Sequence, residues 1–564
     1  MTLARTTLVV ALLGSALALA DDSVVGSKHD LSAMGPGPIR ATQETQICVF
    51  CHAPHNTSPV APLWNRYNPT THYRIYRSAT TDARIDQPGP ASRQCLSCHD
   101  GSIALGLTLD RPTPIPMTHP AMPTGPSNLT NDLSDDHPIG FRYDRTLANR
   151  DPQLRPPQLV DHRIRLGTRG EVECIACHDP HNNSLGNFLR ITDRESALCV
   201  TCHDMSGWTN SAHASSPRAV PVTVTQGIRL PYTSMADNGC RSCHVSHSAP
   251  RREQLLYDRP SSLCLACHDG ITATDMHSVA NQRSGHRVNR VFEQRRPAEG
   301  RFGHARFVEC TDCHNPHATG RGRLPGLLAT TAQGAVIPPA MAEVPGVSLA
   351  GLPVQKAALY YEVCFRCHAD QPVNVPGRIQ RQRDADGNIR RQVLPTAASA
   401  HPIAFPARGS NEVPSLVPEY RGRRFIGCQD CHDNPDGFAA GGSGPSGPHG
   451  SRYEFLLVER YETRDFTIES PQAYALCYRC HDRNSLLSDE SFRGHSRHIV
   501  RAQTPCSACH APHGVSGSAT QHGHLINFDV SIVGGERLYI DTGRFSGSCT
   551  LTCHGVRHVN FTYE

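Results

Sequence analysis

One apolar run stands apart along this chain, and it lies at the start. Residues 7–17 are largely apolar, with Arg5 before them and Ala18-Leu19-Ala20 then Asp21-Asp22 after them. A basic start, a short apolar core and a small-residue cleavage site predict a signal peptide over residues 1–20. The run is too short to span a bilayer. No cysteine adjoins the predicted cleavage site, the first being Cys48, so no lipid-anchor site is expected there. No later stretch reaches transmembrane length, and the mature chain is expected to be soluble and exported. The whole chain holds 45 Gly and 44 Pro, somewhat more than the roughly 12% usual for these two residues together, and beyond residue 20 they break the pattern repeatedly. A mostly irregular fold with short α-helices and little β-sheet is predicted.

The cysteines change this picture. All 24 fall into twelve pairs, and a histidine follows every pair directly. Eleven read Cys-x-x-Cys-His. In order they are Cys48/Cys51/His52, Cys95/Cys98/His99, Cys174/Cys177/His178, Cys199/Cys202/His203, Cys240/Cys243/His244 and Cys264/Cys267/His268, then Cys310/Cys313/His314, Cys364/Cys367/His368, Cys428/Cys431/His432, Cys477/Cys480/His481 and Cys506/Cys509/His510. The twelfth, Cys549/Cys553/His554, has one extra residue between its cysteines. The signature predicts covalent c-type haem, two thiols adding to the vinyl groups and the imidazole becoming the proximal iron ligand. Zinc sites need two further ligands and no adjacent His. A disulfide scaffold suits an exported chain but gives histidine no reason to follow each pair.

Twelve haems over 544 mature residues leave about 45 residues each, too few for an ordinary core around every cofactor. The haems themselves are therefore expected to form much of the core. Their propionates are expected to make the holoprotein acidic despite the formal charge of +4, which argues against a nucleic-acid partner. Basic side chains are 53 Arg against Lys28 and Lys356. Arg suits bidentate pairing with propionates, although an Arg-rich codon bias explains the ratio equally well.

The motifs come in doublets, which predicts six dihaem units over residues 21–110, 111–206, 207–276, 277–395, 396–490 and 491–564. Five odd-numbered motifs carry a further histidine three residues after the proximal one: His55, His181, His247, His317 and His513. Pro54, Pro180, Pro316 and Pro512 precede four of them, and Ser246 precedes His247. A residue before Pro is pushed out of helical geometry, so the second His is expected to point away from its own haem toward a neighbouring iron. The fifth doublet has Pro435 at that position, and His449 is its substitute. An isolated histidine also precedes each doublet: His29, His137, His213, His286, His401, and either His495 or His498. This gives twelve candidates for twelve sixth ligands. Residues 111–127 read as an extended Pro-rich spacer, 371–400 as a polar connection and 436–448 as a flexible loop. Met117, His119, Met122, His522 and His524 are expected at the surface.

Gly26-Ser-Lys-His29-Asp-Leu-Ser32 with Cys48-Val-Phe-Cys-His-Ala-Pro-His55, the Cys-His-Asp-Gly stretches at 98–101 and 267–270, Cys310-Thr-Asp-Cys-His-Asn-Pro-His317, Leu525-Ile-Asn-Phe-Asp529 and the wide final motif resemble the doubled-CXXCH family of multihaem cytochromes. The resemblance implies an exported electron carrier of mostly bis-His haems, working with redox partner proteins such as other multihaem cytochromes or an outer-membrane conduit. Pro435 departs from it and leaves the sixth ligand around the ninth or tenth haem least secure. The rival readings are a reductase with one five-coordinate haem, for which Ser246 and the final motif with nearby His558 are the suspect places, and a filament in which His29 ligates an iron of the next subunit. No phosphate-binding Gly loop, hydrolase triad or paired-carboxylate site rises above background.

Overall fold

A Cys-x-x-Cys-His segment closes one helical turn when the His amide reaches the carbonyl of the first Cys, four residues back. That bond recurs in the computed structural model: His52 to Cys48 at 2.8 Å, His178 to Cys174 at 3.0 Å, His314 to Cys310 at 2.9 Å and His510 to Cys506 at 2.9 Å. The structure describes residues 23–58, 61, 63–224, 227, 229–286, 288, 308–320, 330–370, 379–407 and 413–564. The predicted signal peptide and residues 371–378 of the predicted connection lie outside them.

The longest helices carry even-numbered motifs at their ends. Helix α1 (Pro90–His99) starts with Pro in its first turn, where the missing N–H costs nothing, and buries Leu96. It stops because Gly101 takes a φ of 71°, a left-handed conformation that glycine adopts without penalty. Gly270, in the second Cys-His-Asp-Gly stretch, repeats this with φ 87°. Helix α2 (Tyr360–His368) is capped by Glu362, whose carboxylate accepts from the amides of Ala358 at 2.8 Å and Leu359 at 3.0 Å.

The chain forms two compact units, one of residues up to 205 with 237–257, the other of 206–236 with 258–564. Apolar clusters in both are small, and most have a motif cysteine at the edge. Ala41, Val49, Phe50 and Ile115 pack against Cys51, and Ala335, Val344, Tyr360 and Val363 against Cys313 and Cys364. In the first unit Arg66 is 1% exposed, and its guanidinium donates to the Ser97 hydroxyl and to the carbonyls of Ser97, Ala104 and Leu105. In the second, Arg381 donates to the carbonyls of Ser507, Asn527 and His510. These two arginines, Arg66 buried and Arg381 half-buried, bind backbone carbonyls, a use the propionate argument did not anticipate.

The three predicted linkers are packed. Ile115 is buried, the Thr42 and Thr118 amides donate to the Pro116 and Arg40 carbonyls, and Met117 is half-buried beside Ala41. The spacer thus folds back over the first motif, because its apolar Ile115 and Met117 have a surface to cover. In the second connection Val393 is wholly buried, and Ser399–Ala400 pairs antiparallel with Gly514–Val515. Within 436–448, Asn434 donates to the Pro445 carbonyl at 3.0 Å and the Gly444 amide to Asp436 at 2.8 Å. The loop closes on itself and delivers His449 to a fixed place.

Sheet is scarce apart from a C-terminal meander. Strands β1 (Val533–Gly543), β2 (Ser546–Cys553) and β3 (Val556–Tyr563) form an antiparallel sheet in that order. Between β2 and β3 the two-residue loop His554-Gly555 has φ of 48° and 76°, the positive pair of a tight hairpin turn. Val533, Tyr539 and Leu551 cover Ala508 and Phe528 beside Cys509, Cys549 and Cys553.

Candidate haem-binding array

Consecutive motifs touch through their cysteines in alternation. Within the first, second, fourth, fifth and sixth doublets the second cysteines are neighbours: Cys51 with Cys98, Cys177 with Cys202, Cys313 with Cys367, Cys431 with Cys480, and Cys509 with Cys553. Across doublet boundaries the first cysteines are the neighbours: Cys95 with Cys174, Cys199 with Cys240, Cys264 with Cys310, Cys364 with Cys428, and Cys477 with Cys506. Burial raises the thiols of Cys51, Cys177 and Cys431 to about 12. The alternation runs through motifs one to five in the first unit and six to twelve in the second.

Eight of the proximal imidazoles face a second one across a gap. In the first unit the ring centroids are 6.0 Å apart for His52 and His181, 6.1 Å for His99 and His29, 6.2 Å for His178 and His247, and 6.2 Å for His203 and His137. In the second they are 5.9 Å for His314 and His449, 6.2 Å for His368 and His286, 5.9 Å for His432 and His513, and 6.5 Å for His510 and His495. Two metal–nitrogen bonds of about 2 Å each, plus the distance from nitrogen to ring centre on both sides, place centroids about 6 Å apart. His213 and His401 lie close enough to His268 and His481 for their charge to add to burial in lowering those pKa values, that of His481 to about 4.

The pairing follows a rule. A tethered second histidine faces the proximal histidine of the preceding odd motif, as His181 does His52 and His513 does His432. An isolated upstream histidine faces the even motif of its own doublet, as His29 does His99 and His286 does His368. The two kinds meet in pairs. Nδ1 of His29, His213, His286 and His401 bonds the carbonyl just before His181, His317, His449 and His513, namely that of Pro180 (3.4 Å), Pro316 (2.8 Å), Pro448 (2.9 Å) and Pro512. Two-residue antiparallel pairings, Ser284–Gly285 with Gly450–Ser451 and Ser399–Ala400 with Gly514–Val515, hold two of these meetings in register.

Such bonds decide the tautomer. An Nδ1–H donated to a carbonyl leaves Nε2 with the lone pair a metal requires. Proximal rings are held likewise, His99 by Ser127 at 2.7 Å, His178 by Asn187 at 3.0 Å, His244 by Gln254 at 2.8 Å and His432 by Phe455 at 2.9 Å. Burial, reinforced by neighbouring imidazoles, pulls His449, His495 and His513 down to about 3 and His29, His368 and His510 to about 4. These rings are neutral at pH 7, as iron ligands must be.

The donor set of paired thiols and opposed neutral imidazoles fits haem. Two buried donors beside motifs, Trp64 Nε1 next to His52 and the Tyr474 hydroxyl three residues before Cys477, lack a partner among the described residues and suit a propionate. The model of the family described as doubled CXXCH motif matches residues 168–207 and 233–273, motifs three to six. The chain carries the doubled CXXCH motif of multihaem c-type cytochromes. No curated protein matches it.

Several of the sequence expectations change. His29, the histidine assigned to the filament contact, faces His99 of its own chain. His55, at the tether position of the first motif, is exposed. Cys243, expected in one dihaem unit with Cys267, falls in the first compact unit, whereas Cys267 falls in the second. The reason lies in the backbone around Cys243. Its amide donates to the Cys240 carbonyl at 3.2 Å and its own carbonyl accepts the Tyr257 amide at 3.2 Å, which ties the fifth motif to the segment that closes the first unit. The Cys243 thiol is partly buried, like most of the other second cysteines.

Among the histidines, His495 and His498 each face another ring, His495 that of His510 and His498 that of His558, from the π-helical stretch Ser496–Arg501 and the residue before it. His178 and His247 are opposed like the other pairs despite Ser246, whose carbonyl accepts the His137 amide at 2.7 Å. Despite Pro435, the closed loop presents His449 to His314. His522 is buried with Nδ1 on the Ile526 carbonyl, and the His524 carbonyl orients His510. His554, the expected proximal ligand of the twelfth motif, is bonded to Asp465.

Proposed function

We propose that the chain is an exported electron conduit of twelve haems, each iron held between two imidazoles. The alternating approach of consecutive motifs carries this reading, because within each compact unit it sets one haem-attachment site against the next in sequence order. Haem iron supplies one-electron exchange between its ferrous and ferric states, while the protein supplies ligation, spacing and insulation. Two histidines saturate the iron and avoid the raised potential that a methionine ligand gives, which favours electron transfer over substrate chemistry. Opposed rings at eight proximal histidines argue the same way against a reductase. The predicted signal peptide supports export to the periplasm or cell surface. Among the described residues no helix is long and apolar enough to cross a membrane.

Partners in this reading are other redox proteins, reached where motif cysteines approach the surface, as at the exposed Cys48 and Cys367. Should copies of the chain join through a shared iron, His55 is the histidine to supply it. The test is low-temperature electron paramagnetic resonance of the oxidised holoprotein with a pyridine haemochrome count. Twelve haems, all low-spin, are expected. A stoichiometric high-spin signal in the wild-type protein would transfer the reading to a reductase.

A further inference from the structure

The twelfth motif departs from the others in backbone as well as spacing. Elsewhere the imidazole hangs from the same helical turn as its cysteines, as in His481, whose amide reaches the Cys477 carbonyl at 3.0 Å. Cys549 and Cys553 lie instead in the extended strand β2. Successive side chains of a strand point to opposite faces, so a residue directly after Cys553 does not share its face. His554 moreover sits in the tight turn, where its Nε2 bonds both Asp465 carboxylate oxygens at 2.8 and 3.0 Å and its ring stacks on Phe466 at 4.5 Å. The nitrogen that would bind iron is already engaged.

Across the turn, His558 in β3 pairs directly with Leu551, which stands between the two cysteines in β2. Directly opposed residues of antiparallel strands share a face, and Leu551 shares its own with Cys553 two residues on. The register slips between Cys549 and Leu551, yet Cys549, Leu551 and Cys553 all pack in one cluster. His558 therefore stands on the side of the sheet that holds the cysteines. Its ring faces His498 with centroids 6.3 Å apart and planes at 33°, within the range of the opposed pairs described above. His498 donates Nδ1–H to the Gly494 carbonyl at 2.7 Å, which leaves Nε2 for a metal. Phe492 stacks beside His498 and meets Tyr563 edge-on at 4.7 Å, walling the gap. Cys509 of the eleventh motif neighbours both cysteines.

We propose that the iron of the haem bound by Cys549 and Cys553 is ligated by His558 and His498 rather than by His554. The proposal rests on the reading that this motif binds haem, so the wild-type holoprotein is measured first. Twelve haems, all low-spin, uphold that reading, and eleven remove it without bearing on any other motif. His558→Ala is then expected to keep the count while one haem in twelve turns high-spin and binds carbon monoxide when reduced. A His558→Ala protein with twelve low-spin haems overturns the proposal. Should that variant lose haem or fold poorly, His558→Met decides by redox titration. A methionine ligand raises the potential, so one component in twelve shifts upward if His558 is the ligand. An unchanged titration means that it is not.

Discussion

His181→Ala is expected to open the iron of the first haem, although His181 belongs to the third motif. Its ring faces His52 at 6.0 Å, and its tether to the third motif puts it there. One haem in twelve should turn high-spin and bind carbon monoxide, read by paramagnetic resonance and by the reduced difference spectrum. His55→Ala, the same tether position in the first motif, should leave every haem low-spin, because His55 is exposed and faces no described ring. If His55→Ala opened an iron and His181→Ala did not, the pairing rule would fail. The variant should also be less stable. An iron held by His52 and His181 closes a loop of about 130 residues, and a cross-link of that span restricts the unfolded chain by up to roughly 4–5 kcal/mol. Chemical denaturation followed by Soret absorbance would show the loss.

Arg66→Ala should unfold the first unit at markedly lower temperature without changing any haem's ligation. The guanidinium is 1% exposed and serves four acceptors, at 3.1 Å to the Ser97 hydroxyl and at 3.0, 3.1 and 2.7 Å to the carbonyls of Ser97, Ala104 and Leu105. Truncation leaves buried carbonyls without donors, at about 1–3 kcal/mol each, and opens a cavity. A loss of at least about 3 kcal/mol is expected. Arg66→Lys should rescue little, because one ammonium cannot reproduce a planar fork spread over three residues. Calorimetry gives the magnitude, and an unchanged Soret and resonance spectrum separates the effect from lost ligation. Near wild-type melting of Arg66→Ala would mean that the carbonyls find other donors.

The motif chemistry was legible in the sequence, and so was the division of histidines into tethered and isolated kinds. The repeat differs from its sequence reading in one respect. By spacing alone each doublet holds its own tethered histidine, whereas His181, His449 and His513 serve the doublet before theirs. Nothing in the spacing of a tether says in which direction along the chain it reaches. The same holds for Pro180, Pro316 and Pro512, whose rings were visible as helix breakers while the use of their carbonyls on His29, His213 and His401 was not. His558 was visible only as a histidine near the final motif. Its alignment with Leu551 depends on a turn at His554-Gly555 that the motif's own pattern concealed.

Two thiols and an imidazole within one helical turn are a local matter, since a bond from His back to the first Cys brings them together whatever surrounds them. The sequence by itself therefore determined where the haem-attachment motifs lie and which thiols and imidazole each brings together. Which second imidazole faces a proximal one was decided by tertiary structure alone. That ligand comes from a distant segment, delivered by a two-residue strand pairing, a proline carbonyl or a folded loop. Such contacts overcome the entropy of closing a long loop only when all of them form together, and no local pattern records them.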